Sequence, residues 1–174
     1  MNVLLVIDVQ KDFCPGGALA TDKGSIIIPK INELMNSDFF DFIYATKDWH
    51  AIDDPEFKEW PVHCVQFTEG AMLHDNLDIG PMSLIVYKNT FSGLSGFSNE
   101  SSNRLIPKSV NVYICGIATD YCVKATALDA KKFYTNVSVI LDATAEVSST
   151  MAYQAVQDMV EAGISFIHSG GILI

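Results

Sequence analysis

Short apolar runs recur along the chain, each closed by polar residues, at 3–9, 42–45, 83–87, 112–115, 137–141 and 164–167. They are rich in Val, Ile, Leu and Tyr, and most positions within them are apolar. That pattern suits strands covered on both faces. Between them the apolar spacing becomes helical, over 26–35 and again over 150–162, where Ala152, Val156, Met159 and Val160 share one side. A short helix is predicted over 99–106. Another follows Cys122, where Ala125, Ala127, Leu128 and Ala130 continue at helical spacing. Strands alternating with helices make βαβ units with right-handed crossovers. The predicted fold is α/β: a three-layer sandwich of a six-stranded, mostly parallel sheet with helices on both faces.

The chain has 174 residues, enough for one domain with a full core and no apparent linker or repeat. A net charge of −10, spread along the sequence, argues against nucleic acid or an anionic membrane as partner. The opening MNVLLVIDVQ has no basic leader and contains Asp8, so it is expected to be a strand and not a signal peptide. No stretch approaches a membrane span. Cys14, Cys64, Cys115 and Cys122 lack metal or redox spacing, and reduced thiols in a cytoplasm are the expectation. Self-association is left open.

Candidate chemistry gathers at strand ends. The stretch 110–129 reads as a buried strand broken at Gly116, with Thr119 and Asp120 as helix N-cap residues and Cys122 in the first helical turn. Exposed N–H groups and the helix dipole would there favour a thiolate. A small buried core cysteine is the competing reading of this stretch alone. Asp8, Asp48 and Lys88 also fall at or just past strand ends. In parallel sheets those ends share one rim, where ligands bind. On that rim Lys88 would stabilise a Cys122 thiolate, Asp8 would move the proton, and the turn from Gly116 to Cys122 would offer N–H groups to an oxyanion.

The loop 46–68, TKDWHAIDDPEFKEWPVHCVQFT, concentrates acids, histidines and aromatics. Asp48 and His50 lie two apart on one extended segment and so share a face. With His63 they form a plausible divalent-metal set suited to zinc, iron or manganese. Phe13 and Trp60 are either pocket walls or core. His74, His168, Cys14, Cys64 and Cys115 are read as structural.

Through LLVIDVQKDFCPGGAL, TKDWH, WPVHCV, YKNTFSGLSGF and CGIATDYCV the chain resembles the isochorismatase-like cysteine hydrolases, and within them the nicotinamidase branch. The resemblance implies a catalytic set of Asp8, Lys88 and Cys122. It also implies a cis peptide between Ile117 and Ala118, with the N–H groups of Ala118 and Cys122 as oxyanion hole. Phe13, Trp60 and Ile117 would contact substrate. One divalent ion, zinc first, would be held by Asp48, His50, His63 and Glu56, with Glu59 and Asp54 as alternatives to Glu56. The implied reaction converts nicotinamide to nicotinate and ammonia in NAD salvage. Another small amide, carbamoyl or ureido substrate is the alternative, and a catalytically dead binding member of the fold a third.

Overall fold

The computed structural model describes residues 1–97 and 109–173. Its six strands are β1 (Asn2–Ile7), β2 (Phe42–Asp48), β3 (Leu84–Lys88), β4 (Asn111–Ile117), β5 (Asn136–Ala145) and β6 (Ser165–Ile167). They form one sheet in the order β3-β2-β1-β4-β5-β6, and every pairing is parallel. The chain therefore winds outward in one direction through β2 and β3 and in the other through β5 and β6. At the β1–β4 junction, where the winding reverses, a crevice opens beyond the carboxyl ends of the strands.

Helix α1 (Ile28–Met35) covers one face; α2 (Lys124–Phe133) and α3 (Ser149–Glu161) cover the other. Alternate residues of β1 serve the two layers. Leu4 and Val6 belong to a core with Ile28, Ile31 and Leu34, while Val3, Leu5 and Ile7 join Ala127, Ala130, Ala155 and Met159. This is why the run reads as continuously apolar. The small residues Ala127, Ala130 and Ala155 are fully or almost fully buried and let the backbones approach the sheet closely.

Local chemistry sets the boundaries. Pro29 opens α1, and the Ser148 hydroxyl accepts the Met151 N–H to cap α3. Helix α2 has no side-chain cap, so the expected capping roles of Thr119 and Asp120 are not realised. Strand β1 ends two residues earlier than predicted, because Asp8 takes a left-handed conformation with φ 49°. Strand β2 runs three residues longer and carries Asp48 at its tip. Gly116, at φ 114°, faces Ile7 so closely that a Cβ would stand 2.1 Å from the Ile7 carbonyl oxygen. Only glycine fits there. The helix predicted over 99–106 lies outside the described residues. No helix among the described residues is long and apolar enough to cross a membrane.

Candidate active site

The tips of β1, β2, β3 and the turn after β4 meet at one buried ammonium. Lys88 Nζ lies 2.7 Å from Asp8 Oδ2, 2.9 Å from Asp48 Oδ1 and 3.7 Å from Cys122 Sγ. Cys122 is buried among the core residues under α2 and α3, and it also stands beside this ammonium. Asp8 is fixed further by Thr46, whose hydroxyl donates to Asp8 Oδ1 at 2.6 Å and accepts the Asp8 N–H at 3.2 Å. Gln10 grips the backbone of Asp48 from both sides, its Nε2 donating to Asp48 O at 2.8 Å and its Oε1 accepting the Asp48 N–H at 2.7 Å. These polar side chains are almost wholly buried and nearly all satisfied, as a stable interior demands.

Charge in this cluster is unevenly distributed. Burial argues against an ammonium at Lys88, yet Asp8, Cys122 and Asp48 hold its pKa well above the ordinary lysine value. Burial likewise opposes charge on Asp48, but Lys88 and then the imidazoles of His50 and His63 keep its carboxyl ionised below the usual range. At Asp8 burial wins over Lys88, with Asp48 adding repulsion, and the pKa is raised. Cys122 departs from the sequence expectation. Its thiol pKa is pushed well up by burial, and the pull of Lys88 is countered by Asp8 and Asp48. The lysine and the helix terminus that the sequence points to are therefore opposed by burial and by two carboxylates.

The turn bearing Cys122 is wider than an ordinary helix start. The Ile117–Ala118 peptide is cis. Tyr121 and Val123 both donate their N–H to Ala118 O, at 3.1 and 3.0 Å, and the second of these spans five residues. Such wide single turns recur at functional sites. Asp120 does not cap the helix. Its two oxygens accept the N–H groups of Val147 and Ser148, at 3.0 and 2.9 Å, tying this turn to the segment between β5 and α3.

Asp48 also faces away from Lys88. Its Oδ2 lies 3.1 Å from His50 Nε2 and 3.5 Å from His63 Nε2, and one ligand atom from each of the three residues falls within 4.8 Å of the others. The far nitrogen of each ring is engaged: His50 Nδ1 lies 2.9 Å from Asp54 Oδ2, and His63 Nδ1 2.7 Å from Pro61 O. Those contacts place the Nδ1 protons outward and turn both Nε2 lone pairs inward, the arrangement of metal-ligating histidines. His50 Nε2 is buried without a well-formed hydrogen bond, as a nitrogen reserved for a cation would be. A short parallel bridge between His50 and Val65, with His50 N–H donating to Cys64 O at 3.0 Å, holds the two histidine segments together. The donor set therefore fits a zinc-like ion. Burial opposes an imidazolium at His50, but the carboxylates of Asp48 and then Asp54 raise its pKa to about 9.

Glu56 falls outside this trio and joins His50 and Asp54 in a second group whose ligand atoms also lie within 4.8 Å of one another. Its Oε2 lies 4.0 Å from the outer nitrogen of His50, and the side chain lines the neighbouring pocket, where burial raises its pKa. Asp54 acts on the outer nitrogen as well, and Glu59 is exposed.

Beside Cys122 opens a pocket of about 450 Å³, its mouth included. Phe13, Trp60, Ile117 and Ala118 line it as expected, together with Asp48 and His63. The sequence reading missed Leu19, Thr21, Phe91, Tyr121 and Val147 on its walls. Tyr121 adjoins the nucleophile and could have been foreseen; Val147 arrives from a distant loop with no local signal. Trp60 and Tyr121 meet edge to face at 5.1 Å, and Phe91 approaches both rings. Cys14, Cys64 and Cys115 are buried and free, with burial raising each thiol pKa, that of Cys14 to about 11.

Comparison with known proteins places this geometry. The family model described as the isochorismatase domain matches residues 2–169. The nicotinamidase/pyrazinamidase of Mycobacterium tuberculosis is 34% identical over 97% of this chain and 100% of its own. The crystal structure of PnC1 from L. infantum in complex with nicotinate superposes with a TM-score of 0.89 at 29% identity, covering 98% of this chain and 93% of that one. The pyrazinamidase of Pyrococcus horikoshii in complex with zinc gives 0.84 at 37% identity, covering 96% and 98%.

Proposed function

The chain belongs to the isochorismatase family, and from that premise we propose that it is an amidohydrolase converting nicotinamide to nicotinate and ammonia. The observation that carries the reading is the lysine-centred cluster: Asp8, Asp48 and Cys122 gathered on Lys88, with two imidazoles on the far oxygen of Asp48. The named activities of the relatives support it, as does the nicotinate bound in the L. infantum structure.

In the proposed reaction Phe13, Trp60 and Ile117 hold the pyridine ring and exclude water. A divalent ion on Asp48, His50 and His63 would supply a Lewis-acidic position for the ring nitrogen. Cys122 Sγ attacks the carboxamide carbon as Asp8 takes the thiol proton. Before the transfer the buried trio holds a carboxylate, an ammonium and a thiol; after it, a carboxylic acid, an ammonium and a thiolate. Net charge is unchanged, so the step adds no uncompensated charge to the interior. The N–H groups of Ala118 and Cys122 receive the oxyanion. Asp8 returns the proton to the departing nitrogen, ammonia leaves, and a thioester remains on Cys122. Asp8 then accepts a proton from water as its oxygen attacks the thioester carbon. The C–S bond breaks, Asp8 returns that proton to the sulfur to restore the thiol, and nicotinic acid departs, losing its own proton to solvent to become nicotinate.

The same proposal takes residues 1–174 as one hydrolase domain. Its four unpaired cysteines suit a reducing compartment such as the cytoplasm. Ammonia release from nicotinamide is the test, with Cys122→Ala and Asp8→Ala as controls. Wild-type activity that disappears in Cys122→Ala is expected, and an active Cys122→Ala protein would overturn the mechanism.

A further inference from the structure

Thr126 lies on α2 one turn beyond the nucleophile and is fully buried, yet nothing in the proposed reaction uses it. Its hydroxyl donates to Cys122 O at 2.6 Å. A threonine hydroxyl returned to the carbonyl four residues back is ordinary within helices. Here the same oxygen also accepts the Gly93 N–H at 2.8 Å, from the loop that follows β3. One hydroxyl thus joins the turn carrying the thiol to a loop from another part of the sheet.

That loop forms part of the pocket. Phe91 lies two residues before Gly93, lines the pocket and meets the rings of Trp60 and Tyr121. The loop is also tied to itself. Thr90 Oγ1 bonds Ser95 Oγ at 2.6 Å, and Ser95 Oγ donates to Ser92 O at 2.7 Å. Displacing Gly93 would therefore carry Phe91 with it. The fit is tight: a Cβ at 93 would stand 3.1 Å from each of Ile7 Cδ1, Thr126 Oγ1 and Thr46 Cγ2, and those side chains would have to give way. Thr46 is the residue whose hydroxyl holds Asp8. The Gly93 backbone thus sits wedged between two threonines, one holding the general base and the other the nucleophile turn.

We infer that Thr126 is a positioning residue: its hydroxyl latches the Phe91 loop to the Cys122 turn, setting the aromatic wall and the thiol in register. A substrate ring placed against Phe91 is then placed against Cys122 as well. Both arms of the latch need a hydroxyl, one as donor and one as acceptor, so size alone cannot replace it. The kinetic consequence rests on the proposed nicotinamide hydrolysis; the thiol-reactivity consequence does not.

The experiment compares wild type, Thr126→Val, Thr126→Ser and Gly93→Ala well below their melting temperatures. Thr126→Val is expected to lower kcat and raise KM for nicotinamide, with kcat/KM down about tenfold or more, since a displacement of ~1 Å at a reacting centre costs up to about 10²-fold. Thr126→Ser should restore both constants to within about threefold of wild type, because it keeps the donor and the acceptor. Gly93→Ala pushes the loop away but leaves the Cys122 arm intact, so KM should rise with kcat largely kept. Iodoacetamide labelling of Cys122, followed by mass spectrometry, should change severalfold in Thr126→Val and stay normal in Thr126→Ser, as expected when a thiol shifts against its charged neighbours. A folded Thr126→Val protein with unchanged kinetic constants and labelling, or a Thr126→Ser protein as impaired as Thr126→Val, would overturn the inference. If Thr126→Val does not fold, Gly93→Ala decides, and an unchanged KM there refutes the latch. If wild type releases no ammonia from nicotinamide, the functional reading fails, and the labelling series still decides the latch.

Discussion

Replacing Thr46 by valine isolates how strongly one hydroxyl controls Asp8, the proposed general base. Valine keeps the shape of threonine but can neither donate to Asp8 Oδ1 at 2.6 Å nor accept the Asp8 N–H. The donated bond stabilises the ionised carboxylate, so its loss makes Asp8 hold a proton more tightly. Burial and Asp48 already raise this pKa, Lys88 alone then opposes them from β3, and the Cys122 thiol gives no positive charge. A hydrogen bond to a charged group contributes about 1.5–3 kcal/mol. At about 1.36 kcal/mol per pKa unit, the acidic limb of the kcat/KM profile should move upward by roughly 1–2 pH units. The assay is ammonia release from nicotinamide across pH, with Thr46→Ser as the hydroxyl-bearing control. The orphaned Asp8 N–H should also lower the melting temperature by several degrees, at about 2–4 °C per kcal/mol for a chain of this size. An acidic limb that stays put in folded Thr46→Val enzyme would refute the reasoning, because Thr46 would then not be setting the proton affinity of Asp8.

Three further outcomes follow from the geometry. Asp54→Ala frees the outer nitrogen of His50, and zinc affinity should fall about 10–100-fold by competition against a chromophoric chelator. In the metal-free protein His50 holds its proton up to a pH of about 9, so binding must displace it. Apparent zinc affinity should then weaken about tenfold for each pH unit below that value, measured by the same competition at several pH values. Gly116→Ala drives a Cβ into the Ile7 carbonyl at a positive φ; soluble yield and thermal unfolding should show a loss of roughly 3 kcal/mol or more.

Legibility differed sharply between elements. β1 and β4 announce themselves because both their faces are buried, which makes nearly every position after the opening asparagine apolar. Asp8, Lys88 and Cys122 were readable because strand tips in a parallel sheet share a rim. The upward push on the Cys122 thiol was not readable, since it depends on burial and on two carboxylates converging on the same lysine from separate strands. Asp120 has the composition of a cap, but its acceptors reach a loop 27 residues on, a destination that no local pattern encodes. Thr46 and Thr126 resemble any strand or helix threonine until the fold shows whose atoms their hydroxyls reach. Glu56 followed a family position, while the structure turns its carboxylate toward the pocket and the outer side of His50.

The division of Asp48 between Lys88 and the two imidazoles limits how this lineage can diverge. A descendant that dispensed with the ion could lose both histidines and keep its acid-base machinery, since neither ring touches the ammonium. It could not surrender the aspartate without first finding the lysine another counter-charge. Position 48 should therefore stay acidic even in cousins that hold no metal, and its identity alone would be a poor guide to which cousins do.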